Sequence, residues 1–170
     1  METSRKKALE IMQKGLVSYK LMSEGWDVSD HFGDGCDLVA EKDCRFIKIE
    51  LKAIDLRSIK KGNNATQHLS ANEIVTASHL IITVFNGIEM KDSYIMNMRQ
   101  FVENSGVRKY EKYSGFGEFI KEYKKLATAK SQQVKNSEVE KNRLNFDFNF
   151  NPRNAEKWKL AIFKDQWENL

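Results

Sequence analysis

The chain has 170 residues, a length typical of one domain that buries its own core without disulfide staples. Hydrophobic residues make up 41% of it and charged residues 31%, which suits a soluble globular protein. The 28 basic and 24 acidic residues leave a net charge of +4, which permits a polyanionic partner but does not demand one.

Cysteine usage and the start of the chain indicate a cytoplasmic protein with no membrane partner. Cys36 and Cys44 form no multi-cysteine framework, which favours a reducing compartment over secretion. Residues 1–7 are polar and basic, and no continuous apolar segment follows them, so we expect no signal peptide. The longest apolar run, residues 80–85, is far too short to span a bilayer.

The first part of the chain predicts one helix followed by short strands. Apolar residues recur every three or four positions over residues 4–24, which is typical of an amphipathic helix. Residues 26–28 alternate like a short strand, and residues 36–52 hold two apolar runs around a polar turn, which predicts a β-hairpin. Residues 54–68 hold an expected polar, basic loop at residues 60–64.

A second helix and two further strands are predicted next. Ser70 and Glu73 form a capping-box pattern, which predicts a helix over residues 71–78. The other expected elements are a buried strand at 80–85, a strand at 94–98 and the start of a helix at 99–103.

The last third of the chain changes in character. Residues 107–130 interleave lysines and aromatic residues, which either pack a helix onto the core or form a surface for nucleic acid. A polar stretch, an exposed helix or a linker, separates them from an alternating strand at 144–150. Asn151 and Pro152 then favour the start of a last helix.

The order of these elements predicts an α/β or mixed α+β fold, with an antiparallel hairpin near its start. We divide the chain into a core over residues 1–106 and an extension over residues 107–170, which ends in a strand and a helix. The extension would pack on the same domain and serve DNA contact or oligomerisation.

Three charged residues in the predicted hairpin are candidates for a metal-binding or catalytic site. If the hairpin turns at residues 43–44, Asp37 faces Glu50, and Lys52 shares the face of Glu50. Two carboxylates this close share a proton or hold a cation. Mg²⁺ accepts one or two carboxylates together with phosphate oxygens, and the Leu51 carbonyl is a candidate additional ligand. The simpler alternative is an exposed hairpin end with a salt bridge between Lys52 and Asp37.

The pattern Glu-x-Lys has no weight by its spacing alone, because it recurs at residues 89–91 and 122–124. The copy at residues 50–52 differs in its surroundings. It ends an apolar strand, pairs with an acidic strand start and follows a turn that contains two glycines.

Residues 8–87 resemble the PD-(D/E)xK nuclease superfamily, and are most similar to its archaeal Holliday-junction resolvase and restriction-endonuclease-like branch. The residues that carry the resemblance are a helix, Gly25-Trp26, a short strand, the run Gly-x-Gly-x-Asp-Leu-Val at 33–39 and the run Ile-Glu-Leu-Lys at 49–52. The resemblance implies a central mixed sheet flanked by helices, the restriction-endonuclease-like core. It also implies that Asp37 and Glu50 bind Mg²⁺, with Mn²⁺ as a substitute, and that Lys52 assists hydrolysis.

The chain departs from the family pattern at two places. Cys36 stands where a proline often precedes the aspartate, and Lys14 stands where many members carry a catalytic glutamate in the first helix. Glu10, one turn earlier on the same side, is a candidate replacement. Gln67 is a candidate accessory residue of the site, as in some family members.

The resulting hypothesis is a Mg²⁺-dependent endonuclease that hydrolyses phosphodiester bonds in double-stranded or branched DNA and assembles as a homodimer or a higher oligomer. A catalytically inactive nucleic-acid-binding module of the same fold is the first alternative, and a structural or interaction protein is the second. The expected contacts with nucleic acid are Lys60, Lys61, Asn63, Asn64, Arg108, Lys109 and Lys112.

Overall fold

The computed structural model describes residues 2–31, 35–59, 63–105, 113–133 and 145–170. Its helices are α1 Glu2–Ser23, α2 Ala71–Thr76, α3 Met98–Asn104 and α4 Phe116–Gln133. Its strands are β1 Asp27–Asp30, β2 Leu38–Lys42, β3 Arg45–Asp55, β4 Ala65–Ser70, β5 His79–Asn86, β6 Glu89–Asn97 and β7 Asn145–Phe150. Short 3-10 turns are Leu56–Ser58, Pro152–Lys157, Ala161–Phe163 and Trp167–Asn169.

Five of these strands form a mixed sheet in the order β1-β2-β3-β5-β6. β3 and β5 are parallel, whereas the other neighbours are antiparallel. Strands β4 and β7 pair separately as an antiparallel ribbon. Helices pack on both faces of the sheet, so the predicted fold class is confirmed: a mixed α/β core with a central mixed sheet, an antiparallel hairpin and flanking helices.

The β2–β3 hairpin has the predicted register. Leu38 pairs with Ile49 and Lys42 with Arg45, so the turn consists of Asp43 and Cys44. Both turn residues have positive φ, 50° and 60° respectively, as the two-residue turn favoured by twisted strands requires. Since side chains alternate along a strand, this register directs Glu50 and Lys52 away from the face that carries Ile47, Ile49 and Leu51.

The sheet separates two hydrophobic clusters. The cluster on the α1 face joins Val17 and Leu21 of the helix to Ile49 and Leu51 of β3. The larger cluster on the other face brings together residues of β5, β6, α2, α3 and α4: among them Leu80, Ile82, Tyr94, Ile74, Phe101 and Phe119. Because β5 is buried on both faces, its continuous apolar run matches its place inside the sheet.

Two predictions about elements were wrong, and one strand was not predicted. The strand that was not predicted is β4, which forms because it gains a distant partner in β7. β6 begins at Glu89 instead of residue 94, because hairpin pairing with β5 extends it through a polar stretch. After Asn151 the chain forms only 3-10 turns, since Asn154 has non-helical dihedral angles.

Helix α4 supports the packing interpretation of its aromatic residues. Phe119 and Tyr123 are buried in the larger cluster, with ring centroids 4.3 Å apart. The proposed contact of the neighbouring lysines with nucleic acid stays a prediction, as does the division of the chain at residue 106. Among the residues that the structure describes, no helix is both long and apolar enough to cross a membrane.

Candidate active site

The site forms at one edge of β3, where the strand loses its antiparallel partner. β2 pairs with β3 only as far as Ile49, whereas β5 follows β3 to Asp55. The side of residues 50–55 that faces away from β5 is here called the open edge. Two side chains bind its backbone: Asp37 Oδ2 accepts from the Leu51 N–H at 2.8 Å, and Gln67 Nε2 donates to the Ala53 carbonyl at 3.1 Å.

The geometry of a strand also directs the Leu51 carbonyl to this edge. The N–H and C=O of one strand residue point to the same side of the strand. Because the Leu51 N–H reaches Asp37, the Leu51 carbonyl lies on the side of the Asp37 carboxylate. The backbone oxygen expected to join the carboxylates is therefore directed to the same edge as Asp37.

A second carboxylate and an ammonium group lie together on the adjacent face. Glu50 is only 5% exposed, and its Oε1 lies 2.6 Å from Lys52 Nζ. The same Nζ lies 2.9 Å from Oε1 of Glu73, at the start of α2. Lys52 therefore bridges Glu50 and Glu73, which differs from the simpler alternative of an exposed hairpin end with a salt bridge between Lys52 and Asp37.

Glu73 is held firmly because it also caps its own helix. Its Oε2 accepts the Ser70 N–H, and Ser70 Oγ accepts the Glu73 N–H at 3.2 Å, a complete capping box. One carboxylate thus closes the helix N-terminus with one oxygen and fixes the Lys52 ammonium with the other. Sequence analysis assigned Glu73 only the cap; the second role depends on a contact between residues 21 positions apart.

Burial and neighbouring charges set which residues of this cluster are protonated. Burial raises the pKa of Glu50 to about 8, with Asp37 and Glu73 adding to the rise and Lys52 opposing it. Burial would lower the pKa of Lys52, but the charges of Glu50 and Glu73 raise it above its ordinary value. Burial likewise acts against ionisation of Glu73, yet Lys52 and Ser70 lower its pKa. The favoured state below about pH 8 is an ionised Lys52–Glu73 pair beside a protonated Glu50.

The raised pKa of Glu50 predicts a measurable effect of pH on stability. The protonated form is favoured in the folded state, so wild type should lose stability as pH rises from 4.5 towards 8. Glu50→Gln does not titrate, and the difference in free energy of unfolding between wild type and variant should fall by about a few kcal/mol over this range, since each unit of pKa shift corresponds to about 1.4 kcal/mol. Urea unfolding at pH 5, 6.5 and 8 measures it.

The Glu50→Gln variant also controls for the titration of His79. Burial lowers the pKa of this imidazole to about 4. His79 therefore changes stability with pH below 6.5 in both proteins, and its contribution cancels in the difference. If the difference in free energy of unfolding between wild type and Glu50→Gln stays constant from pH 5 to 8, the assignment of a raised pKa to Glu50 is contradicted.

Gly35 and Cys36 bring the chain into place just before Asp37. Gly35 has φ of +103°, and a Cβ there would lie 2.7 Å from the Thr76 side chain of α2. Only glycine allows both this backbone conformation and this close approach. Cys36 follows, and its side chain is buried in the larger cluster. The segment is thus anchored against α2 on one side and bonded to β3 on the other.

Several predicted site residues lie elsewhere. Glu10 is exposed and pairs loosely with Lys6 at 3.8 Å, so the structure does not bring it to the Glu50 cluster. Lys14 pairs with Asp30 at 3.2 Å. Gln67 binds the open edge at Ala53, two residues along from Leu51 and outside the ion-pair cluster. Gln13, which precedes Lys14 on α1, is 2% exposed, and its Nε2 finds no hydrogen-bond partner among the described residues.

The predicted contacts with nucleic acid are only partly described. Asn63 and Asn64 are exposed just before β4. The other five lie outside the described residues: Lys60, Lys61, Arg108, Lys109 and Lys112. Their role in binding stays a prediction.

The donor set fits a hard divalent cation that keeps most of its water. No group of three or more His, Cys, Asp or Glu side chains within the described ranges is arranged to hold a metal. Asp37, Glu50 and the Leu51 carbonyl offer oxygen ligands only. Mg²⁺ in proteins commonly uses one or two carboxylates and completes its shell with water and substrate phosphate.

Comparison with known proteins gives distant similarities. No protein-family model matches the chain, and no curated protein matches it. Among solved structures, it is similar to Hjc, a Holliday junction resolvase from the archaeal hyperthermophile Archaeoglobus fulgidus, with 15% identity and a TM-score of 0.38 over 52% of this chain and 71% of that one. It is also similar to the bacterial homing endonuclease I-Ssp6803I, with 17% identity and a TM-score of 0.42 over 77% of this chain and 98% of that one. We therefore infer residue roles from this chain's own contacts.

Proposed function

We propose that this chain is a Mg²⁺-dependent endonuclease that hydrolyses phosphodiester bonds in DNA, with Mn²⁺ able to replace Mg²⁺. The observation that supports this most is the arrangement at the open edge. A buried Glu50–Lys52 pair lies next to a strand edge that also carries Asp37 and the Leu51 carbonyl. Buried groups whose pKa values are shifted by burial and by specific charged partners concentrate at functional sites.

The proposed roles follow from the contacts of each residue. Asp37 and Glu50, with the Leu51 carbonyl, would hold the metal ion, and Glu50 must release its proton to do so. When bound, the ion polarises the phosphate and lowers the pKa of a bound water. Lys52 is kept at the site by Glu73 when Glu50 turns to the metal, so its ammonium group remains available to offset negative charge on the phosphate.

The overall reaction consumes one water for each bond cut. A bond forms between the water oxygen and phosphorus, the bond from phosphorus to the leaving sugar oxygen breaks, and that oxygen takes up a proton. Lys52 is the described cation with direct contacts to two carboxylates of the site, and its raised pKa keeps it charged at neutral pH. Its role is therefore electrostatic and not that of a general base.

The direct test is DNA cleavage. Linear, supercoiled and branched DNA should each be incubated with wild type in Mg²⁺, in Mn²⁺ and in EDTA, and with Glu50→Ala in Mg²⁺. We expect metal-dependent cleavage of at least one form by wild type and none by the variant. Absence of cleavage by wild type, or equal cleavage by Glu50→Ala, would refute the proposal. RNA of the same sequence tests whether the sugar matters.

A nucleic-acid-binding module without catalysis is the second candidate. It is favoured by Lys14, which takes the place of the family's helix glutamate and pairs with Asp30 instead of entering the site. Calorimetric titration with Mg²⁺ or Mn²⁺ separates the candidates, because only a nuclease requires metal binding that Asp37→Asn and Glu50→Gln abolish. Cleavage of both strands would further require two sites, which favours a symmetric homo-oligomer.

A further inference from the structure

A pair of arginines shares one buried carboxylate where β3 ends. Asp55 is 7% exposed, and its Oδ2 lies 2.7 Å from Nη2 of Arg5 in the first turns of α1. Its Oδ1 lies 3.3 Å from Nε of Arg57, and Oδ2 lies 3.4 Å from Nη2 of the same side chain. The Arg57 backbone N–H also donates to Oδ1 at 3.0 Å. Two cations are thus fixed by one anion.

The arrangement leaves positive charge and donors in reach of solvent. Burial would raise the pKa of Asp55, but the hydrogen bonds from Arg57 and Arg5 lower it below its ordinary value, so the carboxylate stays ionised. Two guanidinium groups against one carboxylate give a local charge of +1. The side chains of Arg5 and Arg57 are 50% and 51% exposed, and each guanidinium has more N–H donors than Asp55 can accept.

The Arg57 guanidinium also lies against a glycine in the β5–β6 turn. Gly87 of the β5–β6 turn has φ of +76°, and a Cβ there would lie 3.1 Å from Nη1 of Arg57. Asp55 and the bare turn together restrict where this guanidinium can lie. A planar cation held in place loses less conformational entropy when it binds an anion than a free surface lysine does.

The arginine pair lies beyond the candidate active site along β3, with Asp55 directed to the α1 face, opposite to Glu50. Asp55 ends the same strand that carries Glu50, five residues further, or about 17 Å at 3.3 Å per residue. One strand of duplex DNA advances about 3.4 Å along the axis for each phosphate, so this separation corresponds to about five phosphates. We propose that Arg5 and Arg57 bind backbone phosphates of the DNA duplex that flank the cleaved bond. The proposal rests on the nuclease function and names a second contact with the same substrate.

The test is the salt dependence of DNA binding in EDTA, where no cleavage occurs. The dissociation constant of a labelled duplex should be measured between 50 and 200 mM NaCl for wild type, Arg5→Gln and Arg57→Gln. Glutamine retains an amide donor for Asp55 but removes the charge. Each loss of a phosphate contact should reduce the slope of log affinity against log salt by about 0.9 and weaken binding roughly eight-fold at 0.1 M salt.

Arg99→Gln is the matched control. Arg99 is also an exposed arginine in an ion pair, with Glu103 at 2.9 Å, but it lies on α3 at the opposite end of the sheet. Its slope should equal that of wild type. Arg57→Lys keeps the charge and should restore most of the slope, which separates loss of charge from a folding defect.

The outcomes distinguish this proposal from the nuclease function. Slopes unchanged in Arg5→Gln and Arg57→Gln, an equal change in Arg99→Gln, or no DNA binding by wild type would overturn the arginine contacts. Wild type that binds with the predicted slopes but never cuts DNA in Mg²⁺ would instead refute the nuclease function and leave the contacts in place. In an active enzyme, both glutamine variants should raise KM and leave kcat within about two-fold. This is expected when a contact binds the substrate equally well in the ground state and in the transition state.

Discussion

Lys52→Met is expected to lower the rate of DNA cleavage by about 10²–10³-fold, the usual effect of removing one preorganised group that stabilises charge in the transition state. Methionine keeps most of the volume and removes the ammonium group that lies 2.6 Å from Glu50 and 2.9 Å from Glu73. Single-turnover rates at saturating Mg²⁺ and DNA measure the loss without a contribution from product release.

The chain supplies its own control for this experiment. Glu89 and Lys91 have the same spacing and the same separation of 2.6 Å, but they lie on an exposed part of β6. Their side chains are 63% and 42% exposed, against 6% for Glu50 and 16% for Lys52. Lys91→Met should cleave DNA within about two-fold of wild type, because exposed pairs contribute little. Equal losses in the two variants would show that Lys52 has no catalytic role.

Glu73→Gln is expected to lower cleavage by about 10–100-fold, the range found when a residue that orients a catalytic group is replaced. The physical reason is the loss of the negative charge that raises the pKa of Lys52 and keeps its ammonium group in place when Glu50 binds metal. The alkaline limb of the pH–rate profile should therefore move to lower pH in the variant. A purely structural role for Glu73 would leave that limb where it is in wild type.

The cap of α2 should survive in this variant, because glutamine at the third helical position also completes a capping box. Helix α3 shows this directly: its box consists of Asn97 and Gln100. Gln100→Glu is the reverse exchange in a capping box whose Gln100 side chain bonds the Asn97 N–H and not Lys52, and it should retain wild-type cleavage. An unchanged rate in Glu73→Gln, or an equal loss in Gln100→Glu, would contradict the proposed positioning of Lys52.

The sequence by itself determined the elements whose causes are local. The alternation of residues 36–52 and the short polar turn specified the β2–β3 register, and with it the shared face of Glu50 and Lys52. Ser70 and Glu73 marked the start of α2, and the spacing of Phe119 and Tyr123 indicated the buried side of α4. Each of these depends on neighbours within a few positions, where periodicity and capping rules apply directly.

The tertiary structure alone decided which distant residues meet. Polar residues at 65–70 form a strand only because β7 pairs with them, and no local pattern specifies that partner. Glu73 reaches Lys52, and Arg5 reaches Asp55, across 21 and 50 positions of sequence. The pKa of Glu50 likewise depends on burial, which follows from packing of the whole core. The sequence therefore carried the chemical identity of the site, and the fold supplied the contacts and the desolvation that set its charges.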